Sequence, residues 1–301
     1  MTYNKSIMKA YKSYLLLLFC LIFSKEAFSQ YTEVINSNRP GVSRSAFSVG
    51  TDVVQFEVGP YIIKEERKPA ASYEVEGFGI DFAVRYGFLL EELEAFVEGT
   101  YQNDTQTFFS SVNADFDRAN MKSLVFGAKY LLFDPQRFEG EEKPNLYSYH
   151  DNYKFKWESL VPAVAVSAGL HYDQKNNPFL APGVQGISPR VMIATQNNFP
   201  GGFVFVTNFI KERLGTDYSD FQYILTLTHS FNPKWVVFAE TQGIKSDFYA
   251  DNLFRLGGAY LFSKDIQFDT ALTFNTKDTP SVFSVNIGAS YRLDFHNERI
   301  R

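Results

Sequence analysis

The chain is poor in the residues that build most catalytic and metal sites. Its 301 residues include one cysteine, four histidines, four methionines and two tryptophans. A single cysteine, Cys20, excludes an intramolecular disulfide and any cysteine-based metal site. The histidines show no metal-ligand spacing, so neither a metal nor a cofactor is expected. No segment approaches the roughly 18 consecutive apolar residues that a spanning helix needs. No glycine-rich stretch carries the lysine of a phosphate-binding loop; Gly201-Gly202 and Gly257-Gly258 read as turn or strand glycines. The formal net charge of −5 leaves no basic footprint for nucleic acid.

Aromatic residues and alternation are abundant. There are 31 Phe and 18 Tyr, types that favour strands and form the interfacial girdles of membrane barrels. From Ser281 to Phe295 the alternation is nearly unbroken. Phe283, Val285, Ile287, Ala289, Tyr291, Leu293 and Phe295 share one face, and Ser284, Asn286, Gly288, Ser290, Arg292 and Asp294 the other. Successive side chains of a strand point to opposite sides, so this is one long strand, apolar on one face and polar on the other.

The pattern recurs. Strands are expected near 51–63, 76–87, 92–102, 121–133, 160–173, 188–197, 201–211, 219–231, 234–244, 251–263, 265–276 and 281–295. In the first, Val54, Phe56, Val58 and Ile62 oppose Gln55, Glu57, Gly59 and Tyr61; in the second, Phe78, Ile80, Phe82 and Val84 oppose Gly79, Asp81, Ala83 and Arg85. A slip of one residue would reverse every face. The expected fold is all-β: an antiparallel transmembrane β-barrel of about twelve strands with meander topology. A soluble β-sandwich or lipocalin-like barrel also alternates. Against it stand candidate strands of about 10–13 residues where soluble sheets average about 5–6. Aromatic ends to the apolar faces, at Tyr86, Tyr101, Tyr130 and Phe295, also favour the membrane.

The N-terminus reads as a secretory signal peptide over 1–29. Lys5, Lys9 and Lys12 precede an apolar core, Tyr14 to Phe23, and Ala27-Phe28-Ser29 supplies the small residues of a cleavage site. Residues 30–50 are expected to form a periplasmic arm or a plug at the barrel mouth, 51–295 the outer-membrane barrel, and 296–301 a short tail. Bacterial barrels have short periplasmic turns and longer outer loops. With the N-terminus in the periplasm, the short turns near Leu89–Glu91, Asn198–Gly201, Asn232–Pro233 and Ser263–Lys264 fall on that side. The links 64–75, 103–120, 174–187, 212–218, 245–250 and 277–280 fall outside. Residues 134–159 do not fit, because they form a long connection on the periplasmic side.

A charged side chain facing hydrocarbon costs about 2–4 kcal/mol at the midplane. Glu57, Asp81, Arg85, Glu94, Glu98, Lys129, Arg190, Glu240, Asp269 and Arg292, with Asp294, are therefore expected to face the lumen. There they would select what passes, or simply fill a narrow barrel with a structural network. Catalytic residues are not expected. His229 and Ser230 point to opposite faces, and Ser167 and His171 lie about 13 Å apart along a strand.

Several short motifs resemble one family in order along the chain. They are Asn38-Arg39-Pro40 (commonly Asp-Arg-Pro in the family), Val54-Gln55-Phe56-Glu57-Val58-Gly59, Arg85-Tyr86-Gly87, Leu93-Glu94 and Phe126-Gly127-Ala128-Lys129-Tyr130. Phe238-Ala239-Glu240, Gly257-Gly258-Ala259-Tyr260 and Gln267-Phe268-Asp269 follow. The sequence resembles the outer-membrane transporters labelled "MetA-pathway of phenol degradation". The resemblance implies a membrane barrel that passes small, hydrophobic or aromatic solutes. The expected partners are outer-membrane lipid, a small-molecule solute, and the barrel-assembly machinery through the C-terminal strand 281–295. The alternatives are a non-transporting structural or partner-binding barrel, a barrel lipase or deacylase, and a secreted sandwich.

Overall fold

The computed structural model describes residues 34–68, 72–109, 114–135, 157–247 and 249–296. The expected signal peptide, most of the link 134–159 and all but the first residue of the tail lie outside them. Twelve strands follow in order: β1 (Val53–Arg67), β2 (Tyr73–Gly87), β3 (Leu93–Phe108), β4 (Ala114–Phe133), β5 (Ala163–Asp173) and β6 (Gly186–Phe199). They continue with β7 (Phe203–Glu212), β8 (Asp220–Asn232), β9 (Trp235–Lys245), β10 (Ala250–Ser263), β11 (Ile266–Asn275) and β12 (Ser281–Asp294). Each is antiparallel to the next, and β12 pairs with β1 from Val53↔Asp294 to Glu66↔Ser281. The meander thus closes into a barrel, and closure leaves the sheet without a first or last edge.

The faces follow the alternation. Phe283, Ile287 and Tyr291 of β12 are 49%, 64% and 47% exposed, while Ser290 and Arg292 are buried inside. Phe283 and Tyr291 lie eight residues apart, or about 27 Å along a strand; a tilt near 40° reduces that to about 20 Å, close to the usual apolar band of about 25 Å. Aromatic pairs mark the short-turn end of the outer face. Trp235 meets Tyr260 at 4.6 Å, Phe203 stacks on His229 at 4.1 Å and Phe262 meets Phe268 at 5.9 Å. At the opposite end Phe209 stacks near Phe221 and Phe254 near Phe274. Among the described residues no helix is long and apolar enough to cross a membrane; the crossing is by strands.

Four strands outrun the expected boundaries by three residues or more. The link 103–120 is not an open loop: β3 runs to Phe108 and β4 begins at Ala114. Likewise β1 continues to Arg67 and β2 starts at Tyr73. Beyond Asp104 the β3–β4 hairpin buries neither face, and the pattern changes there. Thr105 donates to Asp117 and Thr107 to Asp115 on the surface of the β3–β4 hairpin. On its other side β4 pairs with β5 only from Val125 onward. Higher up, the segment after β5 covers it: the Asn177 amide donates to the Met121 carbonyl at 2.6 Å, and Arg118 lies 5.1 Å over the Phe179 ring.

Candidate functional site: the barrel lumen and its arm

Residues 34–50 lie inside the barrel, entering from the end with the short turns. The Ile35 amide donates to the Lys264 carbonyl in the β10–β11 turn. The arm rises to mid-height and returns to β1 through a tight turn, with Gly50 at φ 90° and Asp52 at φ 60°. Gly87 faces the Gly50 carbonyl there, and a methyl group at 87 would overlap it.

Two chemistries hold the arm, one on each side. Ala46, flanked by Val42 and Phe47, packs on Leu131, Ala163, Ala165, Met192, Ala194, Ile210 and Ile224. These inward-facing residues come from β4 to β8. The other side is ionic. Arg39 reaches Asp269 through Nε at 3.3 Å and a terminal nitrogen at 3.0 Å. Arg44 pairs with Glu98 at 2.6 Å. Glu240 accepts the backbone amides of Val42 and Ser43, the Thr226 hydroxyl at 2.8 Å and a nitrogen of Arg255 at 3.1 Å. A carboxylate so surrounded recovers most of what it loses by leaving water.

The expected inward residues fall into two clusters and several satellites. Arg85, 1% exposed, bridges Glu57 at 3.3 Å and Glu94 at 2.9 Å. Lys129, 2% exposed, pairs with Glu94 at 3.1 Å and donates to the Ser45 and Phe47 carbonyls of the arm. The second cluster crosses the interior: Arg190 joins Glu98 at 2.9 Å and Glu212 at 3.1 Å. Asp81 accepts from Thr100, Glu240 and Asp269 hold the arm, and Arg292 pairs with Asp265 and Asp294 near the short-turn end.

Sequence reading assigned no role to the partners Arg39, Arg44, Glu212, Arg213 and Arg255. Toward the long-loop end His171 contacts Asp173 at 3.1 Å, and Arg213 forks onto the same carboxylate with two bonds of 2.9 Å. Burial opposes the Arg213 charge most, but hydrogen bonding to Asp173 and its charge outweigh burial and hold the Arg213 pKa above its ordinary value. Ion pairs therefore run from the arm tip toward the outer rim: Arg44, Glu98, Arg190, Glu212, with Asp173 and Arg213 beyond. A small cavity at the tip is lined by Arg44, Glu98, Lys129 and Arg190 and by Phe96 and Met192. Among the described residues no group of His, Cys, Asp and Glu could hold a metal. Ser167 and His171 both face inward and are buried.

A family model described as "Putative MetA-pathway of phenol degradation" matches residues 37–293. The chain belongs to that family. The match starts within the arm and ends in β12, so arm and barrel form one family unit. Among solved structures, an outer membrane channel from Pseudomonas putida F1 aligns with a TM-score of 0.53 at 8% identity, covering 86% of this chain and 100% of that one. At that identity the likeness shows the fold. The KdgM porin in complex with disordered oligogalacturonate aligns at a TM-score of 0.46 and 11% identity, covering 80% and 99%. A TodX monoaromatic hydrocarbon channel mutant aligns at 0.43 and 10%, covering 88% and 96%. No curated protein matches the sequence.

Proposed function

We propose that the protein is an outer-membrane channel for small solutes in which residues 34–50 act as a plug. One observation carries this reading: the lumen is polar and ionic, yet its middle is filled by a segment tied mainly through side chains. Strand neighbours are joined by a full backbone ladder. The arm is held by charge pairs, a few amide contacts and one apolar patch, and such contacts can be exchanged for water and solute. The lumen charges named above select what passes.

The family description points to small aromatic solutes. The apolar inner wall of β5–β8, with Phe96 and Met192 at the arm tip, offers such solutes a surface. The reading involves no chemical step and assigns no catalytic residue. The outer band meets lipid, and β12, with Phe295 just beyond it, is the segment offered to the assembly machinery.

Proteoliposomes loaded with a series of small solutes test the proposal. The expected result is efflux of phenol-sized aromatic acids faster than that of a sugar of similar size, and loss of that preference on removing Phe96 and Met192. The packed lumen also suits a barrel that serves as a scaffold and transports nothing. Efflux no faster than from empty liposomes, with correctly folded protein, would favour the scaffold.

A further inference from the structure

The geometry points to a guanidinium-binding cradle in the barrel wall, filled by the protein's own Arg39 and open to competition from guanidinium-bearing solutes. The inference builds on the plug reading of the arm. Its tests do not depend on conduction.

The cradle is built by three adjacent strands. Asp269 of β11 stands opposite Gly288 of β12, and Gly59 of β1 lies in the ladder between Val58↔Ala289 and Tyr61↔Asn286. The Asp269 side chain is fully buried and that of Arg39 is 8% exposed. Asp269 takes two nitrogens of the guanidinium, and the Asn286 side-chain oxygen takes another bond from the same group. Gln267 fixes the arm by donating to the Arg39 carbonyl at 3.1 Å. The guanidinium plane lies over bare backbone. A methyl group built on Gly59 or on Gly288 would overlap it. Two glycines side by side on the lumen face of neighbouring strands make a flat recess, and the carboxylate forms its end wall. A planar, forked cation fits this shape, whereas a compact ammonium uses neither the fork nor the flat floor.

Every group that contacts the guanidinium belongs to the wall and is held by paired strands. The recess therefore persists when the arm withdraws. Among the described residues the ion pair of Asp269 is with Arg39; Arg292 is engaged with Asp265 and Asp294. An emptied cradle leaves the Asp269 carboxylate without its cation at the end of the recess, and an incoming guanidinium restores the forked pair. Solute and Arg39 then compete, and occupancy by solute loosens the plug.

Two measurements on the full-length barrel in detergent test this, with methylguanidinium as probe and methylammonium at equal concentration as control. In the first, Arg39→Ala should gain thermal stability from millimolar methylguanidinium and none from methylammonium; Arg39→Ala combined with Asp269→Asn should gain from neither. In the second, the natural arm is kept and Ser43→Cys, buried against Glu240, reports arm release by maleimide labelling. Methylguanidinium should raise the labelling rate several-fold, and Gly288→Ala should raise it without any probe. Equal responses to the two cations, a response that survives Asp269→Asn, or no response in either assay would overturn the proposal. A barrel that passes both assays but never transports would contradict the channel reading and leave the cradle standing.

Discussion

At the scale of single residues, the strongest consequences lie where charge is buried. Arg85 holds two carboxylates, Glu57 and Glu94, and all three are nearly inaccessible. Arg85→Ala leaves Glu57 without its ion pair and Glu94 with Lys129 alone, and breaking a buried pair in this way costs about 3–5 kcal/mol. Urea titration of the barrel in lipid vesicles, followed by tryptophan fluorescence, should show that loss. Lys64→Ala at the rim is the contrast. Lys64 pairs with Glu74 and Glu76, but it is more than half exposed, and its removal should leave the urea midpoint nearly unchanged. The inward direction of Arg85, Glu94 and Lys129 was readable from sequence, because alternation fixes which face a residue occupies. Their partners were not readable. Arg190 meets Glu98 only because closure brings β3 and β6 across one interior, and no local pattern encodes that distance.

At the scale of elements, each strand is amphipathic and each face has its own medium. Ile287 sits at the middle of the outer band of β12, 64% exposed. Ile287→Arg should destabilise the folded state by about 2–4 kcal/mol in bilayers, with a smaller effect at Tyr291, nearer the interface. The β3–β4 hairpin makes the opposite prediction. Beyond Asn103 it carries Thr105–Asp117 and Thr107–Asp115 contacts on its outer face, chemistry suited to water. Deleting residues 105–117 should leave a barrel that still folds in detergent and still shifts its gel mobility on boiling. The same contrast explains which boundaries were legible. Strand centres were, because one face met lipid and the other the lumen. Strand ends above the membrane were not, because with water on both sides the two-residue period fades. The arm was the least legible element. Its serines and its Val42, Ala46 and Phe47 have no period, and only the finished lumen distinguishes the wall they pack on from the wall they are charged against.

At the scale of the whole molecule, the proposed channel divides the work between barrel and arm. On that reading the ladder of twelve strands provides permanence, and the arm is a removable obstruction at mid-height. The arm carries Arg39 and Arg44 into a lumen whose wall supplies Asp269, Glu98 and Glu240. Withdrawing it takes two cations from the pore and leaves those carboxylates to the wall arginines and to solvent. A pore without its arm should therefore favour cations more than the intact one. Reversal potentials in a potassium chloride gradient should move toward the potassium potential when the arm is absent.

Single-channel recording in planar bilayers of the intact chain beside a variant lacking residues 34–50 tests the central claim most directly. The account predicts small or brief openings for the intact protein and a larger, sustained conductance step for the variant. If a folded, inserted barrel without its arm conducts no better than the intact one, the arm is not what closes this lumen, and the account is wrong.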